Sequence, residues 1–299
     1  MGVREMNDMV NSNRGVQRPA ALALAGVALC LAAWATTTRA ETVAMVTDVI
    51  GRVFVQGSAT HNNIAILADI EPDARMQLES GARLVVLYLQ SGDEYAFTGP
   101  AQVQFRPNGP QVAGGTPPRK RARSKLDVTI KPTGVTPGAL VMRGTGSLSR
   151  IKLLNLTGTQ TLETAPEFRW RDVEPAVRYQ FELNDETGKS LFEIQIEGVA
   201  LKLPPNFQLE EGIDYKWTVS SRLSDGRRYV NSGNFSVAPA DLRARAEVLR
   251  PASGAPVAER VAFAVWLAQS RLNDEARKYW KALANERPED PRLRALAAE

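Results

Sequence analysis

Alternating apolar and polar residues predict β-strands over most of the chain between residues 43 and 237. Residues 52–56 alternate, as expected for a strand with one buried face. Residues 84–89 are continuously apolar, which indicates a strand covered on both faces. Turns rich in Gly, Pro and Asp separate such runs, so we predict a first β module over residues 41–143.

A second β module is predicted over residues 153–238, with aromatic residues at strand spacing. One strand is expected to bury Tyr179, Phe181 and Leu183, and a later one Tyr215, Trp217 and Val219. The module resembles a fibronectin type III or immunoglobulin-like sandwich. This resemblance implies that Trp170 fills the core and that the Tyr215 hydroxyl bonds to the backbone upstream in a tyrosine corner. Because the chain has one cysteine, a disulfide-bonded immunoglobulin domain is excluded.

The period of the pattern changes at Pro239 to that of helices. Helices are predicted over residues 241–249 and 257–270, then one capped by Asn273 and a last one starting at Asp290-Pro291. Residues 240–299 therefore form a helical tail, so the predicted fold class is mainly β with a C-terminal α-helical segment.

The tail resembles a tetratricopeptide unit followed by one more helix. The residues that carry the resemblance are Ala264, Leu267, Ala268, Leu272, Ala276, Trp280, Leu283 and Pro288. A single repeat cannot bury its faces alone, so the tail docks on the sandwich, pairs with a second copy or binds a partner. We expect a partner or a second copy, and in the second case homo-oligomers form through the tail.

Three aromatic residues of the tail are candidate protein-interaction residues: Trp266, Tyr279 and Trp280. Tyr279 and Trp280 are adjacent in sequence, so they point about 100° apart on a helix and cannot both face one core stripe. One of them is therefore a candidate partner anchor.

Residues 1–40 have the three parts of a secretory signal. Arg14 and Arg18 precede an apolar run from Pro19 to Ala35, and small residues follow. Cleavage after Ala35 or after Ala40 fits, and we favour Ala40. The expected location is the periplasm, and the alternative is an uncleaved inner-membrane anchor.

Parts of the first module resemble a FecR-like domain. Residues 49–55 are similar to its opening strand, residues 67–78 to its middle segment, and residues 80–84 with 92–95 to its last hairpin. The resemblance implies an extracytoplasmic location. We do not carry over the anti-sigma role of well-known members, because about 18 mostly polar residues before the apolar run are too few to fold around a sigma factor.

The net charge of +4 changes little of this picture. Residues 1–40 contain four basic and two acidic residues, so their removal leaves 33 basic and 31 acidic residues. An electrostatic partner must then be recognised by a local patch.

The candidate is a basic loop at 114–125 with Arg119, Lys120, Arg121, Arg123 and Lys125. It is either a solvated loop or a binding site for anionic envelope polymers or lipid headgroups. Nucleic acid is disfavoured because no aromatic residues are interleaved.

The sequence contains no catalytic motif that we would assign. His61 is its one histidine and lies in a polar stretch, while Cys30 lies in the apolar run. Neither a Gly-x-Ser-x-Gly elbow nor a His-Glu-x-x-His motif occurs. Asp69, Glu71 and Asp73 alternate but lack the glycine of a calcium loop, which favours a solvated strand face. We therefore expect no catalytic residue, cofactor or metal.

The expected function is a non-catalytic periplasmic or envelope binding or scaffold protein of FecR-domain type. Its partner would be an envelope protein or a cell-wall polymer, with membrane contact at the surface only. Two alternatives remain at this point: a sensor or signalling component of the envelope, and an accessory protein of a cell-wall hydrolase.

The export signal makes a direct prediction. The mature chain should begin at Glu41 or at Thr36, because either cut removes the whole apolar run. N-terminal sequencing of the exported protein checks this. Recovery of an intact residue 1–35 segment in the membrane fraction would establish the anchor instead.

Overall fold

The computed structural model describes residues 42–57, 63–121, 151–171 and 178–298, which belong to one compact unit. The predicted signal segment, His61, Arg123, Lys125 and the strand-like runs at 126–130 and 139–142 lie outside the described residues. Strands dominate and the helices come last, which confirms the predicted mainly β class. Within the described residues, no helix is both long and apolar enough to cross a membrane.

The first β domain, residues 42–57 and 63–121, consists of two facing antiparallel sheets. Its strands are β1 (Ala44–Ile50), β2 (Val53–Val55), β3 (Asp69–Ile70), β4 (Arg75–Leu78), β5 (Arg83–Tyr88), β6 (Glu94–Thr98), β7 (Ala101–Arg106), β8 (Gly109–Gly114) and β9 (Arg119–Arg121). One sheet has the order β3-β1-β5-β6-β9 and the other β2-β4-β7-β8. Every second residue of β4 and β7 is buried between them, as alternation requires.

Strand β5 is buried on both faces, as its continuous apolar run predicts. Leu84, Val86 and Tyr88 point into the core shared by the two sheets. Leu87 points the other way, together with Leu89 just beyond the strand, into a different cluster. The sheet that contains β1 and β5 therefore needs a cover on its second face.

The second β domain, residues 151–171 and 178–238, is a two-sheet sandwich. Its strands are β10 (Lys152–Leu153), β11 (Thr159–Thr161), β12 (Glu167–Arg171), β13 (Tyr179–Asp185), β14 (Ser190–Ile196), β15 (Ala200–Lys202), β16 (Asp214–Arg222) and β17 (Arg228–Val237). The sheets have the orders β10-β12-β15 and β11-β17-β16-β13-β14. Strand β11 runs parallel to β17, and the other pairs are antiparallel.

The aromatic core of this sandwich follows the sequence prediction. Trp170 and Trp217 are buried at its centre, with ring centroids 6.4 Å apart. The tyrosine corner is present as well, because the Tyr215 hydroxyl accepts the Glu210 N–H at 2.8 Å. Burial raises the pKa of the Tyr215 phenol, so it stays a neutral hydroxyl at neutral pH.

The helical tail contains α1 (Ala240–Leu249), α2 (Val257–Gln269), α3 (Asn273–Glu286) and α4 (Pro291–Ala298). Asp290 caps α4 by accepting the N–H groups of Arg292 and Leu293 at 2.8 and 3.1 Å. The prediction that Asn273 caps α3 is wrong. Asn273 is the first helical residue, and its N–H donates to the Thr159 hydroxyl of the second β domain at 3.0 Å.

The tail docks on its own chain, so the expectation that a partner or a second copy covers it is wrong for this face. One hydrophobic cluster joins α2, α3 and α4 to Met45, Ile66, Leu67, Leu87 and Leu89 of the first β domain. The physical reason is that β5 is apolar on both faces. Its second face and the apolar stripe of the helices are both removed from water when they pack together. The β-sheet thus covers the apolar side of the helices.

Polar contacts fix the tail against both β domains. Arg287 of the tail forms an ion pair with Asp48 of β1 at 2.6 Å, and both side chains are largely buried. At the start of α3, the Asp274 carboxylate accepts the Leu156 N–H at 2.7 Å. The Leu156 carbonyl in turn accepts the indole N–H of Trp217 at 2.8 Å, so this contact extends into the sandwich core.

We predict that Arg287→Gln lowers the free energy of unfolding by roughly 2–3 kcal/mol, because it leaves the largely buried Asp48 carboxylate without its cation. Denaturant unfolding of the mature chain measures the change. Lys278→Gln is the control, since Lys278 pairs with Glu275 on the tail surface and its side chain is 63% exposed. That loss should stay below about 1 kcal/mol. Equal losses for the two variants would show that Arg287 does not hold the tail in place.

Candidate polyanion-binding site

The structure corrects the predicted basic loop. Arg119, Lys120 and Arg121 form β9, which pairs antiparallel with β6 at the edge of its sheet. Clustered like charges are tolerated there because all three side chains are exposed and the backbone gains a ladder of hydrogen bonds. The sequence-predicted Arg123 and Lys125 lie outside the described residues, so the site is built from the first three cations alone.

Two of these three cations already lie near a carboxylate of the same chain. Lys120 Nζ is 2.9 Å from Asp93 Oδ2, and this hydrogen bond raises the pKa of the Lys120 ammonium. Arg121 Nη1 is 3.3 Å from Glu259 Oε2 on α2. Arg121 therefore also ties the edge strand to the helical tail. The described residues offer Arg119 no such ion pair.

A groove of about 570 Å³ adjoins the edge strand. The β7–β8 turn and the β3–β4 turn form its walls, and Tyr95 of β6 belongs to its lining. The lining consists of Asp73, Tyr95, Arg106, Pro107, Asn108, Gly109, Pro110 and Gln111. Gly109 has φ +133°, a conformation open to glycine, and this lets the turn bend close to the Tyr95 hydroxyl.

Tyr95 links the groove to the cations. Its ring packs edge-on against the buried Tyr88 ring at 5.3 Å, which holds it in place. Lys120 Nζ lies 5.7 Å from the centroid of the Tyr95 ring. At the opposite wall, Asp73 Oδ1 accepts a hydrogen bond from Gln104 at 3.1 Å. The groove thus combines an aromatic ring with donors and acceptors of both charges, the set that suits a polar, ring-shaped ligand.

The described residues contain no group of three His, Cys, Asp or Glu side chains placed to hold a metal ion.

The structure does not present the tail aromatics as an exposed surface. Trp266 and Trp280 are buried in the cluster that joins the tail to the first β domain. Tyr279 is partly buried, and its ring packs edge-on against the Phe263 ring with the two centroids 5.1 Å apart. The interaction role predicted for Trp266 and Trp280 is therefore corrected to packing inside the chain, and the role of Tyr279 stays a prediction. Tyr279 and Trp280 do differ in burial, as their angular separation requires.

Sequence reasoning did not find the groove. Asp73, Tyr95 and Arg106 come from three separate segments of the chain. No local sequence pattern predicts that they lie close together. A weak signal was present in the turn Pro107-Asn108-Gly109-Pro110, whose composition marks a tight hairpin. Placing that hairpin beside Tyr95 requires the strand order, which no alternation pattern contains.

Comparison with known proteins gives little further information. No family model matches the chain, and no curated protein matches it. Among solved structures, the chain is similar to a crystal structure of CopC from Methylosinus trichosporium OB3b, at 20% sequence identity and with a TM-score of 0.23. That similarity covers 30% of this chain and 95% of the other.

Proposed function

We propose that this chain is a non-catalytic binding or scaffold protein of the bacterial envelope, of FecR-domain type, and that β9 with its groove binds an anionic cell-wall polymer. The observation that carries the proposal is the run of three exposed cations on an edge strand beside a groove lined by an aromatic ring. The envelope location rests on the signal-like residues 1–40 and on the FecR-like segments.

The arrangement of the cations suits a repeating ligand. Side chains alternate along a strand, so Arg119 and Arg121 lie on one face of the sheet, about 7 Å apart, and Lys120 lies on the other. An extended polymer with regularly spaced anionic groups can contact the edge over this distance. Tyr95 lies directly opposite Lys120 and shares its face of the sheet, so a polymer that follows the edge past Lys120 would bring a sugar ring to Tyr95. An aromatic face and the apolar face of a sugar are complementary.

The local charge also limits the strength of binding. Three cations on β9 lie near three carboxylates, Asp93, Glu259 and Glu94, the last directly opposite Arg121 on β6, which leaves a net charge of about zero (3 − 3). Exposed charge contacts contribute little individually. We therefore expect weak single contacts that become effective on a polymer carrying many copies of the ligand. This balance disfavours a nucleic acid, whose recognition depends on many uncompensated cations.

The test is co-sedimentation of the mature chain with purified peptidoglycan that retains its anionic polymers, over a range of salt concentrations. We predict that the double variant Arg119→Gln/Lys120→Gln weakens binding by roughly 5–30-fold, which corresponds to ~1–2 kcal/mol for two exposed charge contacts. The dependence on salt should flatten as well, because exposed charges act over about one Debye length. Arg121 is left intact, since its pair with Glu259 contributes to the tail contact.

The matched control is Arg222→Gln/Arg228→Gln. These exposed cations face each other on β16 and β17 of the second β domain and carry the same total charge. The control should bind like the unmodified chain. If both double variants weakened binding equally, the effect would be due to net charge alone. If the β9 variant bound like the unmodified chain, β9 would not be part of the binding site.

A further inference from the structure

The second β domain has one long edge strand that lacks the usual protection. Strand β14, Ser190–Ile196, ends its five-stranded sheet and pairs with β13 on one side. Within the described ranges, no strand pairs with its other side. Every second residue of an edge strand directs its N–H and C=O outward, which makes such an edge a template for another strand.

The other edge strands of the described sheets are blunted. Strands β2, β3, β9, β10, β11 and β15 have two or three residues each, and β8 contains Gly109, Pro110 and Gly114. Strand β14 has seven residues and contains no glycine, proline or lysine. Short length, proline and lysine are the devices that keep free edges from pairing. Among these edge strands, only β14 lacks all three devices. This indicates that β14 pairs with another strand.

Phe192, Ile194 and Ile196 form an apolar surface along this edge, which we call the apolar shelf. Phe192, Ile194 and Ile196 lie opposite Leu183, Phe181 and Tyr179 of β13, on the inner face of the sheet. The facing sheet has three strands against five, and Ile194 remains 39% exposed. The Phe192 ring packs edge-on against Phe207 at 5.6 Å, which gives the shelf a firm base. An added strand would cover these side chains with alternate apolar residues of its own.

The outer face of the same edge is acidic. Glu193 lies directly opposite Glu182 of β13, a like-charge pair that costs stability, and Gln180 donates to Glu193 at 2.8 Å. Residues 178–197 hold five acidic and two basic residues, and one of the basic residues, Arg178, pairs with Glu197 at 3.1 Å. A cationic side chain from an added strand would lie next to Glu193 and relieve this repulsion. A second copy would instead bring two acidic hairpins together.

We propose that β14 is a docking edge for an extended segment of a partner protein in which apolar residues alternate with lysine or arginine. The segment adds to the sheet as a sixth strand, with its apolar residues on the shelf and its cations beside Glu193. Backbone hydrogen bonds supply affinity and the alternation supplies selectivity. This surface is on the second β domain and does not depend on the polymer-binding role proposed for β9.

The experiment titrates the full mature chain with two fluorescent peptides of the length of β14, one alternating valine with lysine and the other valine with glutamate. The lysine peptide should bind and the glutamate peptide should not. Glu193→Lys should weaken the lysine peptide by about tenfold or more and favour the glutamate peptide. Glu186→Lys is the matched control, because it makes the same charge change in the exposed β13–β14 turn, away from the edge strand. Its affinities should stay within about twofold of the unmodified chain.

A second variant tests the shelf. Ile194→Lys places a charge among the apolar residues and should abolish binding of the lysine peptide, with the thermal transition of the chain used to confirm folding. If that variant does not fold, the Glu193→Lys exchange alone decides. Equal binding of the two peptides, or an affinity that Glu193→Lys leaves unchanged, would overturn the proposal. A dimer of the unmodified chain that Ile194→Lys dissociates would also overturn it, because the occupant would then be a second copy.

Discussion

Burial of the second face of the β1–β5 sheet is the interaction on which the arrangement of the chain depends. A sheet of a two-layer sandwich normally shows one face to its partner sheet and the other to water, and its strands alternate accordingly. Strand β5 does not alternate, and Leu87 and Leu89 would lie in water without a cover. Helices α2, α3 and α4 supply that cover, and each Å² of apolar surface removed from water contributes about 25 cal/mol. The tail and the first β domain therefore each bury apolar surface of the other.

The same interaction explains why a single repeat-like unit is stable here. A tetratricopeptide unit, which the sequence of the tail resembles, stacks on further repeats. This helix pair instead stacks on a sheet on one side and meets the second β domain at the start of α3. There Thr159 takes the role of a capping residue, although it lies more than a hundred positions away in the chain. Asp274 continues the contact through Leu156 to Trp217. Because the tail touches both β domains, a change in one domain can alter the stability of the other. The surfaces that we propose for partners are therefore sheet edges rather than helices.

Much of the fold was predictable because it depends on local periodicity. The strands of the sandwich core, the tyrosine corner at Tyr215 and the approximate helix bounds follow from alternation and spacing, and Asp290 caps α4 as a residue close in sequence. The unbroken apolar run at 84–89 even indicated that a second cover was needed. What covers it was not predictable, since that depends on how three parts of the chain fold together. For the same reason, Trp266 and Trp280 looked available to a partner although they are buried. The groove at Tyr95 and the open edge of β14 depend on strand order, and strand order is a property of long-range pairing.

Calorimetric unfolding of the mature chain tests the central claim most directly, because it reports whether the two β domains and the tail unfold together. If the tail and the first β domain cover each other's apolar surface, the chain unfolds in one transition whose calorimetric and van't Hoff enthalpies agree. It also predicts that a chain ending before α2 unfolds at a clearly lower temperature and exposes apolar surface to a hydrophobic dye. Two separate transitions in the full chain, together with an unchanged melting temperature of the first β domain after removal of the tail, would contradict the account.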